Sequence, residues 1–174
     1  MSEVDVYEYR AADEGEVLDC LGAALGVSAT LPHTPAFWDW KHFQNPFGES
    51  QILVARIGTK LAGVRAYLRW NLTSPDGPLK AFRAVDTATH PDHQRQGVFR
   101  ALTQEANRRA EASGIDLIFN TPNAKSLPGY LSMGWSIVGK PRVYIKPLHL
   151  ALFRSTHICG RATIAARDRR STDE

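Results

Sequence analysis

His90-Pro91-Asp92-His93-Gln94-Arg95-Gln96-Gly97-Val98-Phe99-Arg100-Ala101-Leu102 joins two differently patterned stretches, and its reading decides the fold. Beyond it, Val98, Leu102, Ala106 and Ala110 recur every fourth residue, the spacing of a helix with one buried stripe, and Ser113-Gly114 supplies the stop. Before it, residues 79–89 read as a strand that ends at His90-Pro91-Asp92. The loop therefore delivers the chain from a strand to a helix N-terminus, where free backbone N–H groups and the helix dipole suit a phosphate or pyrophosphate. Gly97 would let the backbone approach such an anion closely. On spacing alone an ordinary turn remains the other reading.

Working outward, residues 4–9 alternate as a half-buried strand, and from Asp13 onward the spacing becomes helical, with Val17, Leu18, Leu21 and Leu25 as the apolar face. A short helix is expected over 35–43, with Pro35 in its first turn and Asn45-Pro46-Phe47-Gly48 as its stop. Residues 51–57 and 61–70 read as an antiparallel hairpin around Gly58-Thr59-Lys60, and Ser74-Pro75-Asp76-Gly77-Pro78 as a turn. Residues 115–120 are almost wholly apolar, as in a central strand buried on both faces. A brief helix follows Thr121-Pro122-Asn123 and ends before Gly134, and 135–138 with 142–146 would close a last hairpin. This alternation argues one domain of mixed α/β class.

A chain of 174 residues is long enough for one domain that buries roughly 70% of the surface its unfolded form exposes. Cys20 and Cys159 lack any metal-ligand or redox spacing, so they are expected to be free buried thiols in a reducing compartment, with no metal site. The N-terminal segment carries acids where a signal peptide would be basic, and no apolar run approaches the ~18 residues of a membrane span. A soluble cytoplasmic protein is the expectation. The formal charge is +3, and residues 151–174 hold five arginines against three acids, so the excess is largely terminal. That distribution argues against nucleic acid as the partner of the folded body.

The loop resembles the coenzyme-A loop of the GNAT superfamily of N-acetyltransferases: Gln or Arg, two residues, Gly, one residue, then Gly or Ala. Gln94, Arg95, Gln96, Gly97 and Val98 follow that form, and Phe99 departs from it where the family usually has a small residue. A Gly-Val-Phe turn is similar to variants within the family. Asn123, Tyr130, Gly134 and Trp135 then fall at the spacing of a second family element. The resemblance covers residues 4–146. It implies an α/β fold with a central, mostly antiparallel sheet, a splayed parallel strand pair and about four helices. The domain would occupy 1–150, followed by a basic tail over 151–174 that leaves a homodimer open. It also implies acetyl-CoA as acyl donor, bound by Gln94 to Phe99 and Asn123, with its arm between the splayed strands against the backbone of Thr87 and Thr89.

Acyl transfer to an amine requires a neutral amine, a polarised thioester carbonyl and a protonated leaving thiolate. Tyr130 is the candidate acid, since a phenol with an ordinary pKa near ~10 carries its proton at neutral pH; packing at a helix end is the alternative. The main-chain N–H of Thr89 is the candidate polariser. Asn123 would bond the pantetheine amide or cap the short helix. Asp86, an acid inside Ala84-Val85-Asp86-Thr87-Ala88, is the candidate base or else one half of a salt bridge to an arginine. His42, Glu49 and His93 rank below it, as surface groups or caps. The cluster Phe37, Trp38, Trp40, Phe43 and Phe47 reads as core or as a wall of an acceptor pocket. Trp-Lys and Asn-Pro-Phe-Gly stretches are similar to those of GNAT-like proteins linked to cell-surface polysaccharide or amino-sugar metabolism, a resemblance that implies a primary amine of a small molecule such as an amino sugar as acceptor. The two competing readings are a non-catalytic acyl-CoA-binding module and a nucleic-acid or partner binder acting through the tail.

Overall fold

The computed structural model describes residues 3–26 and 33–139. One compact unit spans Met1–Ser136. The expected strand over 142–146, Cys159, the domain boundary at 150 and the tail all lie outside the described residues.

Five strands form one sheet in the order β1-β2-β3-β4-β5: β1 Asp5–Glu8, β2 Gln51–Ile57, β3 Lys60–Ser74, β4 Gly77–Thr89 and β5 Leu117–Phe119. The first three junctions are antiparallel and only β4 with β5 is parallel. The helices are α1 Glu14–Leu25, α2 Pro35–His42, α3 Val98–Ala112 and α4 Leu127–Leu131. This is the expected mixed α/β class.

Central β2 reads as a continuous apolar run because both of its faces are covered. Ile52 and Val54 join Val17 and Leu21 of α1 in one core, while Leu53 and Ala55 join Val98, Leu102 and Ala106 of α3 in the other. Burying each of the valine, leucine and isoleucine side chains contributes about 1.5–3 kcal/mol, so the two layers hold the sheet from both sides. Thr34 caps α2 by accepting from the Phe37 N–H at 3.3 Å, and Pro35 opens its first turn.

Two expectations need correction. The strand expected over 115–120 is reduced to Leu117–Phe119, and Leu117 is 42% exposed rather than buried on both faces. Among the described residues β5 pairs with β4 alone. Residues 135–138 form no strand among the described residues.

The β4 ladder contains the irregularity that matters for the site. Val64 pairs with Ala88 and Ala66 with Val85, so Asp86 and Thr87 both stand opposite Arg65 in a β-bulge. Asp86 has φ of 37°, in the left-handed region that Asp tolerates better than most residues. No helix among the described residues is long and apolar enough to cross a membrane.

Candidate active site

The donor side is built from the end of β4 and the start of α3. A one-turn 3-10 helix over Pro91–His93 follows Thr89, capped by His90, whose Nδ1 accepts from the Asp92 N–H at 3.3 Å. The chain then turns through two left-handed residues, Arg95 at φ 61° and Gly97 at φ 85°. The first intrahelical bond of α3 runs from the Ala101 N–H to the Gly97 carbonyl at 2.9 Å. The N–H groups of Val98, Phe99 and Arg100 thus face out of the helix end. A Cβ on Gly97 would meet no atom within 4 Å, so the approach to these N–H groups is open. This cradle fits an anion such as a pyrophosphate. Gln94, Arg95 and Gln96 are exposed around it, with Gln96 Nε2 donating to the Asp92 carbonyl at 3.2 Å, and Val98 is buried as the anchor.

Next to the cradle, β4 and β5 part company. Their pairing ends at Arg83 opposite Phe119, after a start fixed by the Lys80 N–H donating to Asp116 Oδ2 at 2.8 Å. The His90 N–H donates to the Ala62 carbonyl at 2.9 Å, so strand alternation turns the Thr89 N–H away from β3, towards the edge that β5 has left. Thr87 sits in the bulge, its Oγ1 donating to the Val85 carbonyl at 3.2 Å.

Asp86 projects towards α2. Its Oδ2 lies 2.5 Å from Lys41 Nζ and 2.9 Å from His42 Nε2, and His42 Nδ1 lies 3.0 Å from Ser50 Oγ. The salt bridge expected to an arginine is therefore made to a lysine, with a histidine hydrogen-bonded to the same oxygen. Burial by itself would raise the Asp86 carboxyl, but the His42 hydrogen bond and the Lys41 ammonium outweigh it and hold the group below its ordinary value. His42 is 0% exposed, not the surface group its sequence context suggested. It follows Trp38 by one helical turn, and the two rings lie 4.1 Å apart on the buried face of α2. That four-residue spacing was the available signal. A cavity opens beside the carboxylate, walled by Leu18, Leu21, Phe37 and Trp38, with Lys41 and Asp86 at its polar end. Trp40 and Phe47 are instead exposed, and each stacks on one neighbour, Phe37 and Trp70 respectively. Glu49 is exposed and His93 half-buried, with neither near Asp86 by any hydrogen bond.

Tyr130 lies across the sheet from Asp86, against α3. It is 4% exposed, its ring wedged between Phe99 and Trp135 at centroid distances of 5.3 and 4.8 Å. Its oxygen accepts from Arg65 Nη2 at 3.2 Å. Asn123 Oδ1 accepts from the N–H groups of Lys125 at 3.0 Å and Ser126 at 2.9 Å, so its carbonyl end serves the turn into α4. Sequence reasoning missed Arg65 and Lys41. The rule that singled out Asp86, a charge inside an apolar strand, applies equally to Arg65 in Leu61-Ala62-Gly63-Val64-Arg65-Ala66. Among the described residues, no group of three or more His, Cys, Asp or Glu side chains could hold a metal ion.

No curated protein matches the chain. Among solved structures, a transcriptional regulator from Bacillus halodurans C-125 superposes with a TM-score of 0.65 at 21% identity, over 83% of this chain and 100% of that one. Glucosamine-6-phosphate N-acetyltransferase from Arabidopsis thaliana gives 0.64 at 13% identity, over 84% and 99%. An aminoglycoside acetyltransferase from an uncultured soil metagenomic sample gives 0.63 at 17%, over 83% and 97%. At these identities the likeness is one of fold. Sequence carries the assignment further, because the family model described as "Acetyltransferase (GNAT) domain" matches residues 5–138, more than half of the chain: the protein belongs to the GNAT acetyltransferase family.

Proposed function

We propose that this chain transfers an acetyl group from acetyl-CoA directly to a primary amine of a small molecule, without a covalent enzyme intermediate. The observation that carries the reading is the arrangement about the β4 bulge: Tyr130 is packed on one face of the sheet and Asp86 on the other, beside the edge where β4 and β5 separate. Donor and acceptor then approach from opposite faces and meet at that edge.

In this reading the N–H groups at the start of α3 and the backbone of Gln94 to Phe99 hold the pyrophosphate. Thr87 and Thr89 line the pantetheine arm, and Asn123 offers its amide nitrogen to it. The Thr89 N–H donates to the thioester carbonyl and stabilises the charge that develops there. On the other face Asp86, kept ionised by Lys41 and His42, attracts the acceptor's ammonium in place of Lys41 and passes its proton on to water. Tyr130 gives its proton to the departing sulfur.

Release of free thiol from acetyl-CoA is the test, followed across a panel of primary amines that includes amino sugars, amino acids and polyamines. Thiol release with one class, and a mass gain of one acetyl group on that amine, supports the proposal. One observation favours a second reading, an acyl-CoA-binding module: Lys41 already occupies the carboxylate that an acceptor would need. Acetyl-CoA binding in calorimetry without thiol release on any amine selects that reading.

A further inference from the structure

Arg65 heads the fully buried side chains of the protein by size, and it is 0% exposed. Among the described residues no carboxylate pairs with it. Its guanidinium is enclosed by three rings, with the Tyr67, Tyr130 and Phe99 centroids 4.8, 5.3 and 5.6 Å from Cζ. Nη2 donates to Tyr130 Oη at 3.2 Å, while Nε and Nη1 are buried with no hydrogen-bond partner among the described residues. A guanidinium keeps its charge in a protein, and burying one without a counter-charge is costly. Facing rings recover part of that cost through their quadrupoles, and a methionine or leucine in the same space would incur none of it.

We infer that Arg65 is a positioning residue for thiol departure: it holds the Tyr130 hydroxyl in place and receives the negative charge that protonation of the sulfur leaves on the Tyr130 oxygen. The inference rests on the acyl-transfer reading above. As the amine nitrogen bonds to the acetyl carbon, the carbon–sulfur bond breaks and its electron pair stays on sulfur. The Tyr130 O–H bond breaks and the proton joins that sulfur, giving free thiol. The phenoxide oxygen then lies 3.2 Å from a permanent positive charge until it regains a proton from water. Charge moves from sulfur to an oxygen already paired with a buried guanidinium, and a pre-set partner acts more strongly there than it would in bulk water. Among the described residues the resting form holds no counter-charge for Arg65; in this reading its anion exists only during the reaction.

The experiment is a double-mutant cycle on the full chain, using whichever amine gives thiol release. Absence of release by the unmodified protein with every amine overturns acyl transfer itself, and this role with it. With turnover in hand, Arg65→Met should lower kcat by roughly 10²-fold, the scale of losing one buried charge-stabilising donor. Acetyl-CoA affinity should stay within about threefold, since Arg65 acts on the charge of the transition state. The thermal midpoint should hold or rise, because an apolar side chain replaces an uncompensated charge. In a Tyr130→Phe background the same replacement should cost only about threefold or less, the two residues acting as one unit. Arg65→Lys keeps the charge but loses the planar fork and should fall between wild type and Met; it serves the cycle if Arg65→Met does not fold. Near-normal kcat in Arg65→Met, losses that multiply fully with Tyr130→Phe, or a tenfold drop in acetyl-CoA affinity would each overturn the inference.

Discussion

The Phe99 ring meets the Tyr130 ring edge-on, with 85° between their planes and 5.3 Å between centroids. Gly129 sits so close that a Cβ there would lie 2.9 Å from Phe99 Cε1. The bulky residue in a loop position that is usually small is thus matched by a missing side chain on α4. With five residues α4 cannot hold itself, so Tyr130 is positioned from outside its own helix. Phe99→Ala is expected to lose roughly 2 kcal/mol of stability, below the range for a fully buried ring because Phe99 is half-buried. Turnover should fall with it. Denaturant unfolding alongside kinetics checks this, and a slowed reaction restored by Phe99→Leu would assign the effect to packing.

Tyr130→Phe removes only the hydroxyl and keeps the packing against Phe99 and Trp135. The rate should fall by roughly 10² to 10⁴ while acetyl-CoA affinity changes little. Steady-state kinetics together with calorimetry separate the two quantities. Near-normal turnover would return Tyr130 to a purely packing role.

Gly97→Glu combines a residue that the φ of 85° disfavours with a negative side chain in front of the α3 N–H groups. Acetyl-CoA affinity should be largely lost while far-UV circular dichroism is retained. Unchanged affinity would locate the donor elsewhere.

The lowered Asp86 carboxyl has a signed consequence for stability. A group whose folded-state value lies below its ordinary 3.8 contributes stability that is complete above that value and is lost as pH falls through the folded one. Thermal midpoints should therefore drop more steeply below pH ~4 in the wild type than in Asp86→Asn, which should also be the less stable protein at neutral pH. Parallel slopes would disconnect Asp86 from acid unfolding.

Burial pushes the Cys20 thiol up to about 11, opposed by a hydrogen bond to the His90 backbone. At pH ~8 it should be almost wholly protonated and closed to reagents. Peptide mass mapping after alkylation should find Cys20 unmodified in the native protein and modified in denaturant. Rapid native labelling would show that α1 opens from the sheet.

The sequence located the α3 N-terminus, the hairpin of β2 and β3, and the apolar faces of α1 and α3, because helical fourth-residue spacing and strand alternation are local signals that tertiary packing here reinforces. Asp86 stood out for a reason equally local, a charge in an apolar strand. Its partners did not, because Lys41 and His42 reach it across 45 and 44 residues of chain, and no spacing in the sequence encodes that meeting. Arg65 was legible by the same rule as Asp86 and was passed over for lack of a motif. The short extent of β5 was illegible, since three apolar residues in a row do not say how far a strand pairs or which of its faces is covered.

The bulge in β4 means that Asp86 is an added residue rather than an exchanged one. In a regular strand Val85 and Ala88 would point to opposite faces, yet both pack in the α1 core. Excising Asp86 would leave them two apart, on one face, with Thr87 alone opposite Arg65 and every pairing on either side retained. The acid and the bend that aims it therefore share one residue, so deleting it would remove both, whereas a substitution would remove the acid and keep the bend.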